Sequence, residues 1–347
     1  MTRSSGYAAQ AARSPLSPFA FDRREPQPHD VVIDIAYCGV CHSDVHYVDN
    51  DMGFSTFPVV PGHEIVGRVT SIGPAVTKFK MGDLAAIGCY VDSCRVCDSC
   101  RTDRQQMCLE GMVGSFGGFE RDRKQRTWGG FSNNYVANED YVFHMPTNLN
   151  LAAAAPLLCA GITTYSPLRK WQTGKGSKVG IVGLGGLGHL AVKLAAAMGA
   201  EVVVFTNSPG KLGDAKKLGA ADALVATDAD RMKSQQGRLD FILDTVSAAH
   251  NIDAYIACLK PGGTLCLLGI DPKPLSFSPL QLVFGQKAVV GSLIGGLEET
   301  QAMLDFCGAH GITADIELHP AGQINEAFAR LRRNDVKYRF VLDMSTL

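Results

Sequence analysis

Short apolar runs broken by turn residues dominate the first half of the chain. Residues 31–35, 65–69 and 84–87 are such runs, in a stretch broken by Gly, Pro and Asp. Their density between about 30 and 150 predicts a β-rich, partly open barrel. The texture changes near Leu151, where residues 151–159 open a helix-rich zone. From Ser177 onward, apolar runs alternate with helical periodicity. Strands are predicted at 178–182, 202–205, 224–225, 241–243, 264–268 and 289–292. A helix is predicted at 188–198, where Leu190, Leu194 and Ala197 share one face, and another at 210–218. This alternation points to a parallel, doubly wound sheet. The tail from Gly295, ending in an apolar run at 338–342, is expected to pack back on the first domain. The expected fold class is therefore α/β. A β-rich domain spans 1–152 and is completed by 295–347, and a doubly wound domain spans 153–294.

Composition narrows the functional classes. The 347 residues suffice for two domains, and 46% of them are hydrophobic. The net charge of −1 leaves no basic excess for a phosphate backbone, so nucleic-acid binding is not expected. The N-terminal stretch lacks the apolar core of a signal peptide. No run of about 18 apolar residues exists, so no membrane span is expected. A cytoplasmic location follows as the expectation. Eleven cysteines form an odd set, four of them between Cys94 and Cys108. Metal binding or catalysis suits this better than a disulfide framework.

Cys94, Cys97, Cys100 and Cys108 form a C-x2-C-x2-C-x7-C lobe. Four thiolates can close round one tetrahedral zinc and leave no open position, as in a structural site. A redox dithiol or an iron–sulfur centre fits the same tight spacing. Cys41, His63 in Gly62-His63-Glu64, and Cys159 are candidates for a second, open site. Spacing alone does not bring them together, and each alone reads equally well as core.

Gly183-Leu184-Gly185-Gly186-Leu187-Gly188 follows a predicted strand and opens a helix, the context that makes G-x-G-x-x-G specific for dinucleotides. At the end of the next strand an NAD enzyme places an acid against the ribose hydroxyl. Here that place holds Thr206, Asn207 and Ser208, with Lys211 soon after. Hydroxyls, an amide and an ammonium suit a 2′-phosphate, which favours NADP(H).

Cys38-x-x-Cys41-His42-Ser43-Asp44-x-His46, Pro61-Gly62-His63-Glu64, the cysteine lobe, Leu158-Cys159 and the glycine loop occur in this order. Together they resemble the zinc-containing medium-chain alcohol dehydrogenases, in the branch of the cinnamyl-alcohol-dehydrogenase-like, NADP-dependent aldehyde reductases. The resemblance implies a GroES-like catalytic domain, a Rossmann cofactor domain and two Zn2+ per chain. By position, Cys41, His63 and Cys159 would hold the catalytic zinc, with Glu64 behind it. Asp44 would orient His63, Ser43 would take the substrate hydroxyl proton, and His46 would relay it outward. His42, Thr163, Thr245, Gly269, Ser292, Leu293 and Ile294 would complete the cofactor set. Met52, Phe54 and Cys89 would line the substrate region. Cys38 is read as packing, and Cys258, Cys266 and Cys307 have no assigned role. The implied reaction interconverts primary alcohols and aromatic or aliphatic aldehydes with NADP(H), in a cleft between the domains. A homodimer joined at the edge strand, 289–294, is expected. The rival readings are a polyol or secondary-alcohol dehydrogenase, and a nucleotide-binding sensor that has lost its chemistry.

Overall fold

The computed structural model describes residues 2–270 and 273–347, and of Thr2 the backbone only. The chain forms two compact units, Met1–Cys159 with Gly295–Leu347, and Ala160–Ile294. The short helices Leu151–Ala154 and Ala155–Leu158 belong to the first unit, where they pack on its central strands. The first unit therefore runs past the change of texture at Leu151.

The first unit is built on one long strand, Asp30–Val40. Ile65–Ile72 pairs along one edge of it, with register shifts between Val32 and Ile33 and between Ile35 and Tyr37. The other edge is shared, Asn134–Asn138 taking residues 30–34 and Arg339–Asp343 taking 37–40. Bulges bend a strand and increase its twist, which curls the sheet toward a barrel. Leu84–Ile87 and Phe143–His144 extend one side, and Ile316–Pro320 the other. The path does not close, so the barrel is partly open, as expected. Val31, Ile33, Ile65, Ile87, Phe131, Phe340 and Leu342 meet in its core. An antiparallel hairpin, Thr2–Ala8 with Ser17–Arg23, bridges to this sheet region at Gly6 and Ser132.

The second unit carries six parallel strands. Their order across the sheet is Asp222–Val225, Glu201–Thr206, Lys178–Val182, Leu239–Asp244, Leu259–Leu267 and Ala288–Gly291. In chain order within the unit this is 3-2-1-4-5-6, the doubly wound dinucleotide topology. Both faces are covered by helices, so the inner strands read as continuous apolar runs. Val179, Ile181, Val204 and Ile242 are fully buried. The predicted helix at 188–198 is Gly188–Ala197. The one at 210–218 divides into a tight turn, Pro209–Lys211, and Leu212–Lys217. Among the described residues no single helix is long and apolar enough to cross a membrane, and one bent pair, Leu151–Leu158 with Ala160–Lys170, passes that test jointly. Its apolar residues Ala154, Leu157, Leu158, Ala160 and Leu168 are buried in the protein.

Candidate metal centres and dinucleotide loop

The helix His42–Asp49 begins directly after the long strand, with Cys41 in extended conformation at its N-cap. Asp44, fully buried, organises this start. One carboxylate oxygen accepts the Cys41 N–H at 2.9 Å. The other accepts the Gly62 N–H at 2.9 Å and meets His63 Nδ1 at 3.1 Å. A carboxylate only accepts, so Nδ1 carries the hydrogen and Nε2 keeps its lone pair for a metal.

The Pro61–His63 segment is itself held from behind. The N–H groups of Gly129, Gly130 and Phe131 donate to the carbonyls of Val60, Gly62 and Pro61. Arg23, buried without a carboxylate partner, ties that loop together. Its Nη1 donates to Trp128 O at 2.6 Å, and its Nη2 to Gly129 O at 3.0 Å and Ser132 Oγ at 2.8 Å. Burial lowers its pKa to about 10.

Cys159 ends the turn Ala155–Leu158 and brings its sulfur 3.9 Å from Cys41 Sγ. Cys41, His63, Glu64 and Cys159 are all buried, with their donor atoms within 4.8 Å of one another. Two zinc–sulfur bonds of about 2.3 Å at a tetrahedral angle require sulfurs about 3.8 Å apart, and the observed pair fits. Hydrogen bonds from Cys159 and His63 hold the Cys41 thiol well below its ordinary pKa, against burial. Thiolate character is what a metal needs. Glu64 donates nothing and is clamped on one oxygen by the buried Arg339 guanidinium. Its Oε2 is buried with no hydrogen-bond partner. Burial pushes the Glu64 carboxyl up to about 7 although Arg339 pulls the other way. Two thiols and an imidazole brought this close are a donor set that fits a zinc ion with one position open, and the Arg339-held carboxylate lies beside them.

The cysteine lobe closes in the same manner. Cys94 and Cys97 sulfurs lie 3.8 and 3.5 Å from Cys100 Sγ, and all four donors lie within 4.8 Å. Backbone N–H groups of Leu109 and Cys100 pull Cys97 down to about 6. No other donor is among the four, so this set fits a closed, structural zinc. All eleven cysteines are free of disulfides. Cys38 is buried outside both donor sets, against Gly62 and Gly130.

Ser43 is exposed, and its Oγ lies 3.7 Å from Cys41 Sγ. His46 meets Asp51 at 2.8 Å through Nδ1, and exposed His42 stands 6.3 Å from the His46 ring. The Cys89 thiol faces Leu158 O at 3.7 Å. Met52 is half-buried, and Phe54 is 53% exposed. Two aromatic residues escaped the sequence reading. Phe116 stacks on the His63 ring at 5.7 Å, Tyr47 meets Phe116 at 4.6 Å, and Phe54 caps Tyr47 at 4.8 Å. An aromatic wall thus runs from the surface to the buried His63 imidazole. Arg339 also escaped, although a charge inside the apolar run 338–342 was its visible signal.

In the second unit Gly183 has φ of 88° and makes the turn that the loop needs. A Cβ on Gly188 would lie 2.0 Å from Gly183 O, whereas one on Gly185 would meet open space. The loop therefore has close packing at its last glycine and room for a ligand at its middle one. Leu184 is buried, while Gly186 and Leu187 are half-buried. Lys211 reaches back and donates to Leu184 O at 2.8 Å. Thr206 Oγ1 accepts the Ser208 N–H at 3.1 Å, and Asn207 and Ser208 are exposed. Thr245 Oγ1 donates to Val182 O at 2.8 Å. Gly269 packs so close that a Cβ would lie 2.0 Å from Val246 O. Thr163 is half-buried, the Ser292 N–H donates to Leu267 O at 3.3 Å, Leu293 is 40% exposed, and Ile294 is buried.

Comparison with known proteins agrees with this geometry. Residues 27–147 match the family model "Alcohol dehydrogenase GroES-like domain", and residues 186–309 match "Zinc-binding dehydrogenase". The chain is 51% identical over 341 residues to aldehyde reductase YahK of Escherichia coli, covering 98% of this chain and 97% of that one. It is 47% identical over 348 residues to NADP-dependent alcohol dehydrogenase C 1 of Mycolicibacterium smegmatis, covering 100% and 99%. A probable mannitol dehydrogenase of Medicago sativa is 48% identical over 342 residues, covering 98% and 94%. Among solved structures, a cinnamyl alcohol dehydrogenase of Sorghum bicolor matches with a TM-score of 0.96 and 45% identity, covering 99% and 98%. CAD from Helicobacter pylori, complexed with NADP(H), matches with a TM-score of 0.92 and 39% identity, covering 99% and 98%. With both halves matched and relatives this similar along its whole length, the chain belongs to the zinc-containing alcohol dehydrogenase family.

Proposed function

We infer that the protein is a zinc-dependent oxidoreductase that interconverts primary alcohols and aldehydes with NADP(H). The observation that carries this reading is the buried set Cys41, His63, Glu64 and Cys159, with only three nitrogen and sulfur donors. Three such donors leave a coordination position for a substrate oxygen. When bound, the zinc would polarise the aldehyde carbonyl and NADPH would supply the hydride. The other steps fall to the chain. Asp44 keeps His63 in one tautomer and fixes Cys41 and Gly62 relative to it. Ser43, beside Cys41, gives the proton that the product oxygen needs and recovers it from solvent. His46, paired with Asp51, is the relay to bulk water. By the resemblance, His42 would serve the cofactor phosphates. Phe116, Tyr47 and Phe54, with Met52 and Cys89, form the wall against which an aromatic or aliphatic aldehyde packs.

The glycine loop 183–188 would hold NADP(H), with Gly185 leaving room for the pyrophosphate and Thr206, Asn207, Ser208 and Lys211 receiving the 2′-phosphate. Thr163, Thr245, Gly269, Ser292, Leu293 and Ile294 complete the set. We assign catalysis to the first unit, Met1–Cys159 with Gly295–Leu347, and cofactor binding to the second, Ala160–Ile294. Aldehyde reduction is the direction we assign in vivo. Thiols without disulfides suit a reducing compartment, which supports a cytoplasmic location. Two copies pair through the second unit's edge strand, Ala288–Gly291. The neighbouring helix Pro279–Gly285 supports this, with Leu280, Val283 and Phe284 62%, 73% and 83% exposed.

A polyol substrate is the second reading, favoured by the mannitol dehydrogenase name of one relative. The aromatic wall opposes it. Metal analysis combined with steady-state rates separates the possibilities. Two zinc ions per chain and faster reduction of cinnamaldehyde or benzaldehyde with NADPH than with NADH are expected. One zinc or none, preference for NADH, or mannitol oxidation outrunning aldehyde reduction would overturn the respective part.

A further inference from the structure

The chain leaves the second unit at Ile294 and enters the first at Gly295. Ile294 has φ of 35°, a left-handed conformation that is costly for a β-branched residue. It is only 7% exposed. Such backbone persists where its surroundings over-determine it.

The residues that follow are gripped by the cysteine lobe and the strand leading into it. The Tyr90 hydroxyl donates to Gly295 O at 3.2 Å. Gly296 packs against Asp103 so closely that a Cβ would lie 2.0 Å from Asp103 O. Gly296 is also the N-cap of the helix Leu297–His310 and has no side chain to cap it. The first N–H groups of a helix have no partner inside it. Here the lobe provides them. Leu297 N–H donates to Gln105 Oε1 at 3.2 Å. The N–H groups of Glu298 and Glu299 donate to the two Asp103 carboxylate oxygens, both at 2.9 Å. Asp103 and Gln105 both lie between the lobe cysteines Cys100 and Cys108, and Asp103 itself adopts φ of 52°.

We propose that Asp103 is a positioning residue for cofactor binding. By capping the helix Leu297–His310 from the cysteine lobe, it holds the Ile294–Gly295 junction, and with it Ser292, Leu293 and Ile294, in the conformation that binds NADP(H). The lobe thereby gains a task beyond local stability. The proposal rests on the assignment of Ser292–Ile294 to the cofactor.

The test uses the full-length, zinc-loaded protein. Asp103→Gly removes the carboxylate while glycine takes the left-handed backbone freely. Asp103→Asn keeps one acceptor oxygen. Zinc content should stay at that of the parent protein in both. NADPH affinity, measured by fluorescence titration well below the melting temperature, should fall roughly five-fold in Asp103→Gly, the order of one lost cap. Asp103→Asn should lie between it and the parent. Hydrogen exchange at amides 292–299 should quicken in the same order. A merely structural role would lower the melting temperature and leave the affinity alone. Unchanged affinity, or unchanged exchange at 292–299, overturns the coupling. A parent protein that binds no NADPH overturns the cofactor assignment, and the coupling falls with it.

Discussion

Cys159 is the proposed ligand whose role depends most on folding. It lies 118 positions from Cys41, and nothing in its alanine-rich surroundings marks it as other than a small buried hydrophobe. Removing it leaves Cys41 and His63 without a third nitrogen or sulfur donor. Cys159→Ala should lower the zinc content from two ions to one per chain. Turnover should fall by roughly a thousand-fold or more, since metal polarisation contributes several kcal/mol to such barriers. Far-ultraviolet circular dichroism should stay unchanged, and a variant that keeps both ions would sink the assignment. Lys211 makes a second single-residue case. Its ammonium already rests on Leu184 O within the glycine loop. Lys211→Ala should weaken NADPH binding roughly ten-fold and leave NADH nearly untouched, the order of one charge-assisted contact to phosphate. Equal losses for the two cofactors would count against a 2′-phosphate partner. Lys211 was legible in sequence because it follows the strand end where a 2′-phosphate would be read, whereas Cys159 was legible only through the resemblance. Tyr47, Phe116 and Arg339 were not, since an aromatic or an arginine in a run of ordinary residues has no spacing rule. Only packing on His63 and pairing with Glu64 expose them.

Among elements, the tight turn Glu139–Tyr141 shows how one carboxylate can anchor a distant loop. Glu139, 4% exposed, accepts the N–H groups of Thr77 and Lys78 on one oxygen, both at 2.8 Å. Its other oxygen meets His29 Nδ1 at 3.0 Å. Burial alone would raise its pKa, but the His29 contact and the two N–H donors win and lower it. A carboxylate depressed in the folded state stabilises above its unfolded pKa, and that gain fades as pH falls through the folded value. Glu139→Gln should therefore cost about 2 kcal/mol at neutral pH. The gap to the parent should shrink as pH falls below the ordinary carboxylate range and through the lowered folded value of Glu139. Denaturant melts from pH 7 downward would check this, and a pH-independent gap would refute it. The elements themselves were largely readable. The parallel strands announce themselves as apolar runs because helices cover both faces. The hairpin Thr2–Ala8 with Ser17–Arg23 was missed because, although Phe19 and Phe21 alternate with exposed Pro18, Ala20 and Asp22, the covered face also carries the polar Ser17 and Arg23, so only two of its positions read as apolar. The helix His42–Asp49 was missed for a different reason. Its start is set by the buried Asp44 rather than by an apolar stripe.

At the scale of the whole molecule, two chemistries sit in two separately built units, one made from discontinuous chain and one from a single stretch. The doubly wound unit exposes a row of apolar side chains on Pro279–Gly285, beside an edge strand. Phe284, 83% exposed, is the largest of them. Phe284→Asp should convert a homodimer into a monomer without altering the zinc content, as sedimentation velocity would show. A parent protein that sediments as a monomer would remove the edge-strand pairing. This level was the least legible in sequence, because a strand at a sheet edge and one at its centre have the same composition. The discontinuous construction was partly readable, through the return of strand-forming texture at 338–342 after the second unit.

That construction has a consequence for how the protein is made. The Glu64–Arg339 pair joins residues 275 positions apart. At ribosomal rates of about 5–20 residues per second, the arginine emerges roughly 15–55 seconds after the glutamate. Throughout that interval the stretch that forms the cofactor unit can be completed and begin to fold. Glu64 meanwhile has no guanidinium to receive it, and burying a lone carboxylate is costly. The candidate metal centre that begins at Cys41 is thus walled in only at the end, when the strand Arg339–Asp343 leaves the ribosome.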